Sequence, residues 1–305
     1  SASLVGSEMC IRDRASRPMG PDRLPSDWPL SEHSEFVQCA GTLWHVQRIG
    51  SGPVILLLHG TGSSTHSMAG MAECLSGHFT CVLIDLPGQG FTYPIEEREH
   101  LLSAMARAIY ELCKHLEISP EYVIGHSAGA AVGIRMCLDT NISPRGLLSI
   151  NGALLPFGAF IEPLMLKTAR ALSRSPRVSR FLARRGTGES DVRRALRDTG
   201  ATISEPMIQR YTTLISQPEH IEGTLRMMGG WELSQLAKDL PKLKTPTHLI
   251  GCEKDHIVPA TRAHRAKREI PDATAITLED AGHLVHEADP ERVAQVFYQF
   301  LERLN

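Results

Sequence analysis

Short runs of apolar residues recur along the chain, and most of them are rich in valine, isoleucine and leucine. The run at residues 53–58 is continuous, which is typical of a strand buried on both faces of a sheet. Similar runs predict strands at residues 80–84, 122–124, 146–150, 247–250 and 274–278. Before them, two short extended segments within residues 36–50 flank Ala40-Gly41, and this arrangement predicts a hairpin.

Residues with a helical pattern lie between these strands. They predict helices at residues 66–76, 100–116, 130–138, 261–269 and 290–304. Strands that alternate with helices are typical of βαβ units and a mostly parallel sheet. Because crossover connections are right-handed, we expect the helices to cover both faces of this sheet.

The alternation stops between residues 153 and 240, where no strand is predicted. Prolines and glycines divide this interval into several helices. Since it lies between two core strands, we expect a helical cap over the carboxyl edge of the sheet. The predicted core comprises residues 36–152 and 241–305, and residues 1–35 form a lead-in. Residues 1–14 resemble translated sequencing adapter and take no part in the fold prediction.

Composition narrows the classes of function. The chain has 305 residues and a net charge of −2, which gives no reason to expect a nucleic-acid partner. Its longest apolar run has five residues, far fewer than the roughly 20 that span a bilayer. The seven cysteines have neither disulfide-framework nor zinc-ligand spacing. We therefore expect a cytoplasmic protein with reduced thiols and no metal site.

The segment Gly125-His126-Ser127-Ala128-Gly129 is the strongest candidate for catalytic chemistry. It follows the predicted strand at 122–124 and precedes the predicted helix at 130–138. A serine on such a sharp turn projects its hydroxyl above the sheet, and small flanking residues let the strand and helix pack closely. We predict that Ser127 is a nucleophile.

A serine hydroxyl needs a base to accept its proton. Asp255 follows the predicted strand at 247–250, and His283 follows the last predicted strand. This Ser, Asp, His order is the one that G-x-S-x-G enzymes use. We predict that His283 is the general base and later the acid, and that Asp255 orients its ring.

Two neighbouring side chains are alternatives for these roles. Glu253 lies on the same turn as Asp255, and His286 lies three residues after His283. The end of the strand at 146–150 is another place for the acid, but Asn151 occupies it, and this favours Asp255. Asp85 also ends a strand, and we interpret it as part of a structural turn.

A tetrahedral intermediate needs backbone donors directed at its oxygen. Ala128 N–H is one candidate because it follows the nucleophile. The second is Thr61 N–H in the loop that begins with His59, with Gly62 as the alternative. We expect His59 and His126 to hold loops by hydrogen bonds rather than to act in catalysis.

The segments HGTG, DLPGQG, GHSAG, GCEKD and AGH occur in this order and resemble the alpha/beta-hydrolase family over about residues 36–305. We therefore expect an alpha/beta-hydrolase fold with a helical cap, which hydrolyses its substrate without a metal or an organic cofactor. The glycine-rich segments lack both nucleotide-binding frames, so no nucleotide site is expected.

A narrower resemblance rests on further segments. They are similar to the magnesium-chelatase accessory proteins of bacteriochlorophyll synthesis, a family within the alpha/beta hydrolases. This resemblance implies a role near magnesium insertion into protoporphyrin, with a tetrapyrrole or its ester as substrate and chelatase subunits as partners. The segments are SDWP at 26–29, WHVQR at 44–48, HGTG at 59–62 with THS at 65–67, GHSAGAA at 125–131, NGALLPF at 151–157, and MM at 227–228 with Trp231.

The predicted cap contains a strongly basic stretch. Residues 167–197 include ten basic and two acidic side chains, and Arg170, Arg174 and Arg177 recur at helical spacing with interleaved apolar residues. The simplest interpretation is a solvated helix face. The alternative is contact with an anionic, flat apolar ligand such as a porphyrin with propionates, or peripheral contact with an acidic membrane surface.

The sequence favours a serine hydrolase that forms an acyl-enzyme at Ser127. Two other functions stay open. One is a non-catalytic tetrapyrrole-binding or chelatase-assembly protein on a hydrolase scaffold, because a fold does not determine a function. The other is a general carboxylesterase or C–C hydrolase with no connection to pigment.

Overall fold

An eight-stranded sheet forms the centre of the protein. The computed structural model describes residues 20–21, 24–93, 101–158, 161–185, 188–231 and 233–304. The spatial order of the strands is β1-β2-β4-β3-β5-β6-β7-β8. The first two strands pair in antiparallel fashion, β2 is antiparallel to β4, and the remaining pairs are parallel. The strands are β1 (Ser34–Cys39), β2 (Thr42–Ile49), β3 (Val54–Leu58), β4 (Thr80–Ile84), β5 (Tyr122–His126), β6 (Gly146–Ile150), β7 (Thr247–Cys252) and β8 (Ala273–Leu278).

All six predicted parallel strands are present, and their ends differ from the prediction by two residues at most. Strands β5, β6 and β7 are buried along their whole length, as their continuous apolar runs predicted. The hairpin prediction is also confirmed. Ala40 and Gly41 both have positive φ (48° and 78°), which matches the twist that a two-residue hairpin loop requires.

Twelve α-helices accompany the sheet in the described part of the chain. On one face, α1 and α12 bury apolar residues against the sheet, and on the other face α2, α3 and α10 do so. Helices therefore cover both faces, as predicted. They are α1 (Ala69–Leu75), α2 (Leu102–His115), α3 (Ala128–Asp139), α4 (Ile161–Ser173), α5 (Pro176–Arg185), α6 (Glu189–Arg197), α7 (Glu205–Ile215), α8 (Pro218–Gly230), α9 (Leu233–Asp239), α10 (Thr261–Glu269), α11 (Val285–Ala288) and α12 (Pro290–Leu304).

Three details differ from the sequence prediction. The helix predicted at 66–76 is divided into a 3-10 turn, Thr65–Met68, and the shorter α1. The carboxylate of Asp85 accepts the backbone N–H of Thr65 at 2.6 Å, which fixes the start of that turn. Helix α3 begins at Ala128, earlier than predicted, and the four-residue α11 was not predicted. Residue 100, the predicted start of the helix at 100–116, lies outside the described residues, as do residues 1–14.

Helices α4 to α9 occupy the interval between β6 and β7. Helix α8 packs against both α4 and α5, and α6 packs against α7. Among the described residues, no helix is long and apolar enough to cross a membrane. The same residues contain no group of three or more histidine, cysteine or carboxylate side chains arranged to hold a metal ion.

Candidate active site

Ser127 lies on a strained turn between β5 and α3. Its backbone has φ 50° and ψ −112°, a conformation that a residue with a side chain rarely adopts. A Cβ atom on Gly125 would lie 2.5 Å from Ala130 Cα, and one on Gly129 would collide with the carbonyl oxygen of Leu58. The glycines at both ends of G-x-S-x-G are therefore required by the close packing of the turn.

His283 and Asp255 form a short hydrogen-bonded pair. The distance from His283 Nδ1 to Asp255 Oδ2 is 2.6 Å, and both side chains are buried. The other carboxylate oxygen, Oδ1, accepts the backbone N–H groups of Ile257 (2.7 Å) and Val258 (2.8 Å). Because both oxygens are engaged, the carboxylate has a fixed orientation and holds the proton of the histidine on Nδ1, which leaves Nε2 as the basic atom.

The two alternative residues occupy other environments. The carboxylate of Glu253 is exposed and accepts the backbone N–H of Asp280 at 3.0 Å. His286 is fully buried, and neither of its ring nitrogens has a hydrogen-bond partner among the described residues. Burial lowers the pKa of His286 to about 3, so this side chain is neutral. The structure thus pairs Asp255, and not Glu253, with His283.

Three hydrogen bonds hold the backbone of His283. Its N–H donates to the carbonyl of Thr199 (3.0 Å), and its carbonyl accepts from Asn151 Nδ2 (3.0 Å) and from His126 Nε2 (3.0 Å). Since a carbonyl oxygen only accepts, His126 carries its proton on Nε2. Burial lowers the pKa of His126 well below its usual value, which keeps the ring neutral. The sequence did not predict that Asn151 or Thr199 would hold His283, and Thr199 lies in no motif.

The two expected backbone donors are Thr61, in the loop after β3, and Ala128, at the start of α3. Thr61 and Ala128 both line the cavity that contains Ser127. Gly62 N–H donates instead to Gln89 Oε1 at 2.6 Å, so the alternative donor is already engaged. His59 donates from Nδ1 to the carbonyl of Gly60 (2.8 Å) and accepts the N–H of Leu86 at Nε2 (2.8 Å). His59 therefore fixes this loop.

The hydrogen bonds of Asp85 indicate a structural role. Its buried carboxylate accepts from the ring of His45 (2.7 Å) and from the backbone N–H groups of Thr65 (2.6 Å) and Phe91 (2.8 Å). Burial acts to raise the pKa of Asp85, but His45 and the other donors outweigh it, so the pKa lies below its ordinary value. Asp85 does not line the cavity at Ser127.

A cavity of about 530 Å³ lies between the cap and the carboxyl edge of the sheet. Ser127 and His283 line it, together with apolar cap residues that include Leu196, Ile215 and Trp231. No lysine or arginine is among the described residues that line it. This cavity is suited to a neutral and largely apolar molecule.

The three cap arginines lie away from this cavity. Arg170 and Arg174 line a separate surface pocket of about 220 Å³, which they share with Arg226. Arg170 Nε also donates to the carbonyl of Gly229, and Arg177 is exposed on α5. The side chains of Arg184 and Arg185 lie outside the description. Arg170, Arg174 and Arg177 therefore lie on the outer surface of the cap.

Comparison with known proteins gives the wider context of this arrangement. The chain is 36% identical over 286 residues to the magnesium-chelatase 30 kDa subunit of Rhodobacter capsulatus, with 93% of this chain and 100% of that protein covered. It is 28% identical over 269 residues to a pimeloyl-[acyl-carrier protein] methyl ester esterase of Xanthomonas oryzae, with coverage of 84% and 98%. A thermophilic esterase from Thermogutta terrifontis has a similar fold, with a TM-score of 0.69, 22% identity and coverage of 89% and 98%.

A match to a family model shows which residues of the chain carry this similarity. The model described as the alpha/beta hydrolase family matches residues 55–296, which extend from β3 into α12 and include the turn at Ser127 and the His283–Asp255 pair. The chain belongs to the alpha/beta hydrolase family.

Proposed function

We propose that this protein is a serine hydrolase that cleaves a neutral, largely apolar carboxylic ester, and that it supports magnesium insertion in bacteriochlorophyll synthesis. The observation that carries the first part is the 2.6 Å His283–Asp255 pair at the cavity that also contains the strained Ser127. The second part is supported by the 36% identity to a protein named as a magnesium-chelatase subunit.

In the proposed reaction, His283 Nε2 accepts the proton of Ser127 Oγ as that oxygen attacks the ester carbonyl. The backbone N–H groups of Thr61 and Ala128 stabilise the oxyanion. The intermediate collapses when His283 donates the proton to the departing alcohol, and an acyl-enzyme remains on Ser127. Water then attacks the acyl carbon with His283 as base, the bond to Ser127 Oγ breaks as His283 returns the proton to that oxygen, and the acid is released. Asp255 stabilises the imidazolium in both steps.

The cavity lining supports an ester rather than a free acid as substrate. A carboxylate would enter a site without a lysine or arginine among its described lining residues, and the cost of desolvating it would not be repaid. An esterified propionate of a tetrapyrrole is neutral and avoids this cost. The ester chemistry is supported further by the relative that is named as a methyl ester esterase.

Magnesium is the cargo of the pathway in this proposal and not a ligand of the protein. The hydrolase acts on the pigment, on an inhibitory ester or on a chelatase subunit. The non-catalytic scaffold function predicts that the pathway needs the fold but not the serine. A general esterase predicts hydrolysis with no effect on pigment.

Complementation separates these functions. A pigment-deficient strain without its own copy receives the wild type, Ser127→Ala, or the control Ser190→Ala at an exposed serine on α6. The proposal expects the wild type and Ser190→Ala to restore magnesium-porphyrin formation and Ser127→Ala to fail. Full restoration by Ser127→Ala would favour the scaffold. Failure of a wild type that hydrolyses simple esters would favour the general esterase.

A further inference from the structure

The cavity contains one polar corner that the proposed catalytic steps do not use. Ser63 and Tyr211 both line it, and Ser63 Oγ lies 3.1 Å from Tyr211 Oη. Tyr211 Oη donates to Glu287 Oε1 at 2.7 Å. The remaining cap residues around the cavity are mostly apolar, so this pair of hydroxyls is a distinct polar feature that the cap and the loop after β3 present to a ligand.

Three separate segments build this corner. Ser63 comes from the loop after β3, and Tyr211 comes from α7 in the cap. Glu287 comes from α11, the short helix that begins two residues after His283. All three are buried, since Ser63 is 3% exposed, Tyr211 is 7% exposed and the Glu287 side chain is 5% exposed. Burial of a carboxyl and two hydroxyls is costly, and phenylalanine would fill the space of Tyr211 without that cost. Packing alone does not account for the network.

The charged and titratable groups around Glu287 are few. Arg210 and Tyr211 face it from α7, and His286 Nε2 lies 3.9 Å from its carboxylate. His66, whose ring is 4.9 Å from that of Tyr211, is neutral because burial lowers its pKa well below the usual value. Burial raises the pKa of Glu287 to about 7, although the Tyr211 hydrogen bond and Arg210 act to lower it.

The direction of the hydrogen bonds depends on the proton of Glu287. When Glu287 is a carboxylate, Tyr211 donates to it, Ser63 donates to Tyr211, and Ser63 Oγ offers only lone pairs to the cavity. When Glu287 is a carboxylic acid, it can donate to Tyr211, and Tyr211 can donate to Ser63. The Ser63 O–H is then free to donate into the cavity.

We propose that Ser63 and Tyr211 form a substrate subsite for a neutral oxygen-bearing group, and that Glu287 decides whether the subsite favours a carbonyl or a hydroxyl. The proposal rests on the proposed hydrolase function and specifies its substrate class: an apolar ester with a second, uncharged oxygen group away from the reacting carbonyl. A carbonyl is favoured when Glu287 is protonated, and a hydroxyl is favoured when it is ionised.

The first test compares esters of equal length. The substrates are 4-nitrophenyl octanoate and its oxo and hydroxy analogues, substituted at the same carbon of the acyl chain. In Ser63→Ala and Tyr211→Phe, kcat/KM for the substituted esters relative to octanoate should fall by about 3- to 10-fold, the value of one neutral hydrogen bond. Tyr298→Phe, on α12 and away from the cavity, is the matched control and should keep the wild-type ratio. Equal losses for all three esters, or an unchanged ratio, would overturn the subsite.

The second test uses pH. Both substituted esters use the same catalytic residues, so the ratio of their kcat/KM values reports on the subsite. In the wild type the oxo-to-hydroxy ratio should decrease from pH 6 to pH 8, around the pKa of about 7 for Glu287. In Glu287→Gln the ratio should be flat over this range. A flat wild-type ratio, or a slope that persists in Glu287→Gln, would contradict the role of Glu287.

A binding measurement tests the subsite independently of catalysis. The corresponding octanamides, which the protein need not cleave, are titrated calorimetrically into the wild type and Tyr211→Phe. The subsite predicts a Kd for the oxo and hydroxy amides that rises by about 3- to 10-fold in the variant, with little change for octanamide. If no ester is hydrolysed but this pattern appears, the proposed function fails and the subsite stands. If esters are hydrolysed without the pattern, the subsite fails alone.

Discussion

Individual residues fix the His283–Asp255 pair more firmly than the sequence motif alone implies. Asp255 accepts three hydrogen bonds, and the His283 backbone takes part in three more. A positioned base of this kind orients one tautomer and avoids reorganisation during the reaction. The orientation of the pair therefore depends also on Asn151, which does not line the cavity, and on the backbone carbonyl of Thr199.

The identity of the acid is the first residue-scale prediction. Asp255→Asn keeps the oxygen that accepts from Ile257 and Val258, but its amide cannot hold the proton of His283 on Nδ1. We expect kcat/KM for an activated ester to fall by roughly 10⁴-fold with the fold retained. Glu253→Gln, on the same turn, is the control and should keep wild-type activity. The reverse result would assign the acid to Glu253.

The buried carboxyl of Glu287 gives a stability prediction. Its pKa is about 7 in the folded protein, above the ordinary 4.5, so folding favours the protonated form. Stability is therefore lost as pH rises from the unfolded value through the folded one, by at most roughly 3 kcal/mol. In urea unfolding, Glu287→Gln should be more stable relative to the wild type at pH 8 than at pH 5. An equal difference at both pH values would show that Glu287 does not titrate in this way.

The three candidate catalytic residues were predictable from the sequence because each follows a strand in a fixed chain order. Tyr211 and Glu287 were not predictable. Their contact joins residues 76 positions apart, and neither lies in a recognisable motif. Glu287 lies four residues after His283 on α11, and this helix is too short to show a helical periodicity in the sequence.

At the scale of elements, the cap is attached directly to the loop that carries His283. The carbonyl of Thr199 accepts the His283 N–H, and the backbone of Gly200 packs against Gly282. Gly200 has φ 74°, and a Cβ atom there would collide with the carbonyl of Lys254. The segment after α6 therefore holds the loop that carries His283 and also lines the cavity.

The close approach of Gly200 to Lys254 predicts that one added methyl group destabilises the protein. Gly200→Ala should lower the free energy of unfolding by about 1–2 kcal/mol or more, because alanine is strained at positive φ and its Cβ displaces Lys254. It should also lower kcat, since His283 moves with its loop. Gly77→Ala, where φ is not positive and no atom lies within 4 Å of the added Cβ, is the control. A Gly200→Ala protein with wild-type stability in thermal and urea unfolding would exclude this account.

The strands were predictable because buried parallel strands are continuous apolar runs. The cap was predictable only as a helical interval, because prolines and glycines show where helices break but not which faces meet. The packing of α8 against both α4 and α5 depends on side chains far apart in sequence. For the same reason, the sequence could not show that Arg170, Arg174 and Arg177 lie outside the cavity.

At the scale of the whole molecule, the cap has two surfaces with different chemical character. Its inner side presents apolar residues to the cavity, and its outer side presents Arg170, Arg174 and Arg177. We propose that the outer side attracts an anionic partner, such as the carboxylates of a porphyrin or an acidic membrane surface. Neutral substrate and anionic partner would then use different surfaces.

Salt and mutation test this division. Binding of a dicarboxylate porphyrin should weaken as salt rises, because exposed charges are screened beyond about 10 Å at 0.1 M ionic strength. Replacement of Arg170, Arg174 and Arg177 by glutamine should weaken it further and leave kcat/KM for a small neutral ester within about threefold, since none of the three lines the cavity. Salt-independent binding that the triple variant retains would reject the proposal.

The most direct measurement of the central claim is covalent labelling of the full chain with a fluorophosphonate, read by mass spectrometry of its peptides. A working nucleophile attacks the phosphorus and expels fluoride. The account predicts one adduct, on Ser127, that is absent in Ser127→Ala and forms far more slowly in Asp255→Asn. No adduct on Ser127 of the wild type, or equal labelling of Ser127→Ala at another residue, would contradict it.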